Sequence, residues 1–190
     1  MKKPLVTSAG LLALFVAAAI IRGNSEFLFY AGTLVFLLGA LIAMDRYFDF
    51  SGIALWGFNL WLLMHLLGGM GSIDGTRLYD VMLWPLVGEP YNILRYDQFV
   101  HVFCYFVIAM LVWEALSQSL AAGHRPALLA LTVLAAAGIG SLNEVIEFAA
   151  VVILGSTGVG DYTNTALDLV ANFIGAVAGA SWKASTLRVH

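Results

Sequence analysis

The sequence predicts an all-α, polytopic membrane protein with six transmembrane helices and both termini cytoplasmic. Three observations predict it. Of the 190 residues, 61% are hydrophobic, and the mean hydropathy is +0.90. Only 11% are charged, where a soluble domain carries about 25%. The apolar residues fall in runs of membrane-spanning length, parted by short segments that hold most of the charge. Residues 1–190 read as a single transmembrane helical domain, with no soluble unit, linker, low-complexity tract or repeat. The net charge of −3 comes with no basic patch, so nothing points to nucleic acid. The one cysteine, Cys104, excludes an intramolecular disulfide and leaves the redox compartment open.

The spans follow in order. The first covers roughly Leu5–Ile21, between "MKK" and "RGNSE". Lys2 and Lys3 give it the look of a signal peptide, but "AAAIIR" is not a clean cleavage pattern, so it reads as a helix. The second covers Phe27–Met44 and the third Ile53–Leu67, ended by "GGMGS". Residues 69–96 are mixed in character and carry Pro85 and Pro90. They read as a long extracytoplasmic loop with a short interfacial helix near Leu78–Trp84. The fourth span covers Gln98–Leu116, the fifth Ala127–Leu154 and the sixth Ala166–Ala184. The fifth is longer than a bilayer needs, and "AAAGIGS" offers a place to bend it.

Lys and Arg set the orientation. Six spans put the termini on one side, with Lys2, Lys3, Arg46, Arg125, Lys183 and Arg188. The other side holds Arg22, Arg77 and Arg95. Cytoplasmic loops collect positive charge, so the first side is predicted inside. The 69–96 loop and "GSTGVGDYTNT" then lie outside.

On this map the polar residues converge. His65 is near the outer end of span three. Asp97 and His101 open span four from outside, four apart and so on one helix face. Glu144 and Glu147 lie in the outer half of span five, with no Lys or Arg within fifteen residues on either side. Asp161 is in the outer loop, and Asn164, Asp168 and Asn172 recur every four residues into span six. Rise alone puts Glu144 roughly 15 Å below the end of span five, deeper than Asp97 and His101 unless that span projects past the headgroups.

Five carboxylates in one partly buried region cannot all stay ionised without compensation. Either some are protonated or cations neutralise them. Two imidazoles with carboxylates are good ligands for Zn²⁺, Mn²⁺ or Fe²⁺, and less suited to Ca²⁺. His65, Asp97, His101, Glu144, Glu147, Asp161 and Asp168 are therefore the candidate ligands of a divalent transition metal, zinc first. Each also has a plainer reading. Asp97 is placed to cap span four, and Asp161 or Thr163 to cap span six. His65 alone reads as an interfacial histidine, Asn172 as interhelical glue beside Gly175 and Gly179, Glu114 as a cytoplasmic-edge residue and Cys104 as packing. Arg77 and Arg95 are placed to pair with acids or to meet anionic headgroups.

The segments "HLLGG", "LYDVMLWP", "RYDQFVHVFCYFVIAMLVWEAL", "NEVIEF" and "GDYTNTALDLVANFIGA" resemble the YjdF-like family of bacterial inner-membrane proteins in order and spacing. The resemblance implies a multi-pass protein of the bacterial inner (plasma) membrane, with His65, Asp97, His101, Glu144, Glu147, Asp161 and Asp168 as its polar signature. The family pattern often has an acid where this chain has Asn164. "DQFVHVFCYF" and "DLVANFIGAVAG" also resemble the VanZ-like proteins, linked to glycopeptide-antibiotic resistance.

Two classes of function follow. The first is a metal-dependent membrane enzyme, a hydrolase or lipid-modifying enzyme, acting at the outer leaflet on a lipid or lipid-linked envelope substrate. In it Glu144 would be the general base. No HExxH or GxSxG motif is present. The second is a non-enzymatic cation-binding or transport protein, or a scaffold. Ionisable groups gathered at one face favour a one-sided site over a channel. Membrane lipid is the expected partner; the sequence names no protein partner.

Overall fold

The computed structural model describes residues 1–23, 25–120, 125–155 and 160–186. Among them are six helices long and apolar enough to cross a membrane. Arg188 and part of the loop before the last helix lie outside the described residues.

α1 spans Lys3–Arg22, with Pro4 in the first turn, where a missing N–H costs no helix bond. It stops at Gly23, whose φ of 63° is the left-handed conformation that closes a helix C-terminus. α2 spans Ser25–Phe48. α3 spans Gly52–Met70, with the Ser51 hydroxyl accepting from Ala54 N–H as its cap. α4 spans Tyr96–Ser119. Its entry is fixed by Gln98, whose side-chain oxygen accepts from the backbone N–H groups of Leu94 and Arg95. α5 runs unbroken over Arg125–Leu154, so the glycines at 138 and 140 do not interrupt it. α6 spans Tyr162–Thr186.

The connection from α3 to α4 differs from its expected form. β1 (Ser72–Ile73) and β2 (Thr76–Arg77) form a hairpin closed by Asp74 and Gly75, both at positive φ, as a two-residue hairpin turn requires. A 3-10 turn at Leu78–Asp80 follows, then β3 (Met82–Val87) paired antiparallel with β4 (Ile93–Arg95). The interfacial helix expected near Leu78–Trp84 is thus a single turn and an extended strand. Seven residues ahead of Pro85 are too few to repay helix nucleation, and Pro disfavours the helical conformation of Trp84 before it. In a two-stranded ribbon Pro85 needs no donor on its outer edge.

Lipid tails give helices no hydrophobic reason to associate, so close packing must hold the bundle. α4 and α6 form the tightest seam. A methyl group added at Gly175 would collide with the Val102 carbonyl oxygen, and one at Gly179 with that of Phe106. α5 joins them through Ala109, Ala136, Ala176 and Ala180, all fully buried. α1, α2 and α3 pack around Leu5, Leu12, Leu34, Leu55 and Leu62, and α3 meets α4 through Phe58, Val100 and Val107. α2 touches α4 and α5 only slightly.

The two ends of the bundle differ in chemistry. At one end Lys2 reaches Asp45 at 2.8 Å and the Phe50 carbonyl at 2.6 Å. There Glu114 accepts from the N–H and hydroxyl of Ser51, and pairs with Lys183. Lys2 and Lys183 share this end, so the first and last helices bring the termini to one side. Glu114 is indeed an edge residue, but a largely buried and paired one. Lys2 also reaches Asp49 at 2.8 Å; the other end carries the hairpins and the acids that α4, α5 and α6 bring together.

Candidate metal centre

α4 supplies the centre of the site. Asp97 and His101 lie one turn apart on its inward face, with His101 Nε2 3.7 Å from Asp97 Oδ1. α5 supplies Glu144 and Glu147, one turn apart, and the other ring nitrogen, Nδ1, is 3.9 Å from Glu144 Oε1. The depth mismatch expected from helix rise does not arise. α5 runs on from Glu147 to Leu154, roughly 10 Å, and so extends past the start of α4. α6 brings Asp168, 1% exposed.

These side chains form two groups of potential ligands that share His101. They are Asp97–His101–Asp168 and His101–Glu144–Glu147, and within each the donor atoms all lie within 4.8 Å of one another. Among the described residues, one imidazole and three amides lie against the four carboxylates. Asn164 Nδ2 donates to Asp168 Oδ2 at 2.6 Å and to Asp97 Oδ2 at 3.3 Å. Asn143 Nδ2 donates to Glu147 Oε1 at 2.8 Å and reaches Glu144 Oε1 at 3.5 Å. Asn172 Nδ2 lies 3.4 Å from the same Glu144 oxygen, and its Oδ1 lies 2.8 Å from His101 Nδ1. Arg95 is in electrostatic reach of Asp168. Two buried oxygens, Glu144 Oε2 and Asp168 Oδ1, have no hydrogen-bond partner among the described residues. A buried carboxylate oxygen with no donor is costly, and its presence here calls for a ligand or a proton.

A cavity of about 110 Å³ adjoins the cluster. Asp97, His101, Asn143 and Glu147, with His65, Arg77 and Tyr79, line its polar side; Phe15, Phe27, Leu34 and Leu37 form its apolar wall on α1 and α2. Such a volume admits several waters or a small polar headgroup. Glu144 and Asp168 stand behind the wall.

The expected residues thus divide. Asp97, His101, Glu144, Glu147 and Asp168 come together. His65 lines the same cavity but stands outside both ligand groups; its Nδ1 lies 2.6 Å from the Tyr79 hydroxyl. Asp161 is exposed and caps α6, its carboxylate accepting from Asn164 N–H at 3.1 Å. Asn172 is more than glue, since it contacts both His101 and Glu144. Asn143 and Tyr79 were not among the expected site residues. Asn143 stands four before Glu147 on one helix face, which is a usable signal; Tyr79 arrives from a loop, and sequence spacing carries no sign of it. Cys104 is packed apolar matter, as expected, and buried.

Tyr79 lies outside the spans. Burial first, then the negative charge of Asp97 and Glu147, push its phenol well above the ordinary range, so it stays protonated. It donates to the His65 backbone carbonyl at 3.0 Å. Its ring lies against Gly68, where a methyl group would come within 2.5 Å of it.

No curated protein and no solved structure matches the chain. One family does: residues 4–188 match the family described as "Predicted membrane protein (DUF2238)". With nearly its whole length matched and six helices of spanning character, the chain belongs to this family of membrane proteins.

Proposed function

We propose that this protein binds a divalent transition metal, zinc before manganese or iron, at the cluster around His101. We further propose that it uses the ion on a lipid or lipid-linked envelope substrate at the outer face of the bacterial inner membrane. The observation that carries this reading is the buried, unpartnered Asp168 Oδ1, in one of two ligand groups that meet at one imidazole. Acids at helical spacing with a histidine are an established way to hold metal inside a bundle. The ion would polarise a phosphoryl or carbonyl oxygen and lower the pKa of a bound water.

The chain's own groups supply the rest. The cavity offers the ion an open side, which a catalytic site needs and a structural one lacks. Glu147, on the cavity wall, is better placed than Glu144 to take the proton of an attacking water. The apolar wall from α2 opposite Glu147 suits an amphiphile, its headgroup at the acids and its chain toward the lipid.

A transport pathway is less favoured. At the opposite end Asp45 and Glu114 are committed to Lys2 and Lys183. Between the ends α4 buries Val107, Ala109, Met110 and Leu111.

The test is metal analysis of protein purified without chelator or a histidine tag. Near-stoichiometric zinc, manganese or iron, or thermal stabilisation by added Zn²⁺ or Mn²⁺, supports the reading. No bound ion and no stabilisation would leave protonated carboxylates as the account of the cluster. An ion bound without turnover of any lipid-linked substrate would favour a cation-binding or scaffold role.

A further inference from the structure

We infer that Asn172 holds the proton of His101 on Nδ1, so that the ion is taken by Nε2 with Asp97 and Asp168, while Glu144 and Glu147 stay outside its shell. This rests on the metal reading above and divides the cluster into an ion site and a separate acid pair.

The orientation of the Asn172 amide is the starting point. The side chain is 1% exposed. Gly140 makes room for it: a methyl group there would come within 3.0 Å of Asn172 Cβ and 3.1 Å of Nδ2. Within that space the amide has two neighbours, Glu144 Oε1 at 3.4 Å from Nδ2 and His101 Nδ1 at 2.8 Å from Oδ1. Turning the amide over would set its oxygen against the carboxylate oxygen, acceptor against acceptor. Glu144 therefore selects the orientation seen, and an amide oxygen can only accept. The hydrogen at 2.8 Å must come from Nδ1. A neutral imidazole protonated there has its lone pair on Nε2.

Nε2 faces the first ligand group. It lies 3.7 Å from Asp97 Oδ1. An ion about 2.1 Å from each donor spaces tetrahedral donors about 3.4 Å apart, so this pair needs little adjustment. Asn164 occupies Asp97 Oδ2 and Asp168 Oδ2. That leaves Asp97 Oδ1 and the unpartnered Asp168 Oδ1 for the ion. The second group lacks such a donor, because Nδ1 spends its hydrogen on Asn172 and an N–H cannot ligate. Asn172 is thus a positioning residue, acting on the ion through His101 as outer-shell partners of metal-bound histidines do.

The test uses the full chain in lipid nanodiscs. Nitrogen-15 NMR of histidine-labelled, chelator-treated protein reads the tautomer, with His101→Gln identifying the signal. Wild type should show Nδ1–H and bare Nε2. Asn172→Leu should lose that preference, and Asn172→Asp, which keeps an acceptor oxygen, should retain it. Zn²⁺ and Mn²⁺ titrations then locate the ion. Asn172→Leu should weaken binding about 10- to 100-fold. Asp97→Asn and Asp168→Asn should weaken it further, while Glu144→Gln and Glu147→Gln stay within a few-fold of wild type. Thermal unfolding without metal identifies any variant that merely misfolds, and the Asp168→Asn and Glu144→Gln comparison stands without Asn172→Leu. Ion lost from Glu144→Gln but kept by Asp168→Asn overturns this inference and leaves the metal reading intact. A doubly protonated or Nε2–H ring in wild type overturns the role of Asn172. If wild type binds no ion, the metal reading fails and the ion assignment with it, while the NMR still decides what Asn172 does.

Discussion

The Tyr79 hydroxyl stands 2.6 Å from Nδ1 of His65 and 3.0 Å from the backbone carbonyl of the same residue. A segment outside the spans is thereby tied to a helix end inside the bundle. The carbonyl can only accept, so the phenol donates to it and receives the ring N–H of His65. Removing the hydroxyl leaves the part-buried His65 ring without its partner. Tyr79→Phe should cost about 1–3 kcal/mol, measured as thermal or denaturant unfolding in nanodiscs. An unchanged midpoint would mean that the connection between α3 and α4 rests on the bundle without bracing it.

The same contact predicts a pH dependence. The folded pKa of Tyr79 is raised above the unfolded value near 10. The folded state therefore keeps the proton that the unfolded state loses. The contribution is complete below about pH 10 and is lost as pH rises through the folded value. The stability gap between wild type and Tyr79→Phe should stay constant from pH 7 to about 9.5 and shrink above it. A gap that widens with pH would contradict the assignment.

The six spans are legible in the sequence because hydropathy over a helix length reports a local property. The acids and His101 are legible as a set because i, i+3 and i, i+4 spacing fixes which residues share one face. Spacing does not say which neighbouring helix that face meets. Lys183 with Glu114 and Lys2 with Asp45 pair across 69 and 43 residues, and nothing local announces either. The role of Asn172 depends on Gly140 on another helix in the same way. Residues 69–96 are hard to read for a different reason: their ribbons are set by turn residues and pairing partners, not by a period. Leu78–Trp84, apolar and aromatic, suits an interfacial helix by composition and forms a turn and strand by context.

The seam between α4 and α6 should be intolerant of volume. Gly175→Ala and Gly179→Ala each place a methyl group against a backbone oxygen of α4, which cannot move without its helix. The expected cost is roughly 1–3 kcal/mol each. Gly39→Ala on α2 meets nothing within 4 Å and should be neutral or slightly stabilising, since alanine favours helix. Unfolding midpoints of the three variants make the comparison. Equal effects would show that helix propensity, not close approach, decides these positions.

Glu114 and Lys183 form the test of the opposite end. Both are largely buried, and Glu114 also accepts twice from Ser51 at the start of α3. Breaking a buried pair strands a charge, at about 3–5 kcal/mol. Lys183→Met should therefore destabilise strongly, and Glu114→Gln with Lys183→Met should recover much of the loss. A double-mutant cycle measures the coupling. Additive losses would mean that Ser51 and solvent, not Lys183, satisfy Glu114.

Orientation can be read with the protein's own chemistry. Cys104 is buried, so a membrane-impermeant maleimide should leave the wild-type chain unlabelled in intact cells. Gly88, in the turn between β3 and β4, has open space around it. Tyr47, next to Arg46 at the other end of the bundle, is 81% exposed. The partition of Lys and Arg places the Tyr47 end in the cytoplasm. Gly88→Cys should then label in intact cells, and Tyr47→Cys only after permeabilisation. The reverse pattern would turn the molecule over and put the acidic cluster at the cytoplasmic face, out of reach of an outer-leaflet substrate. Labelling of both in intact cells would contradict the single crossing, α3, that separates them.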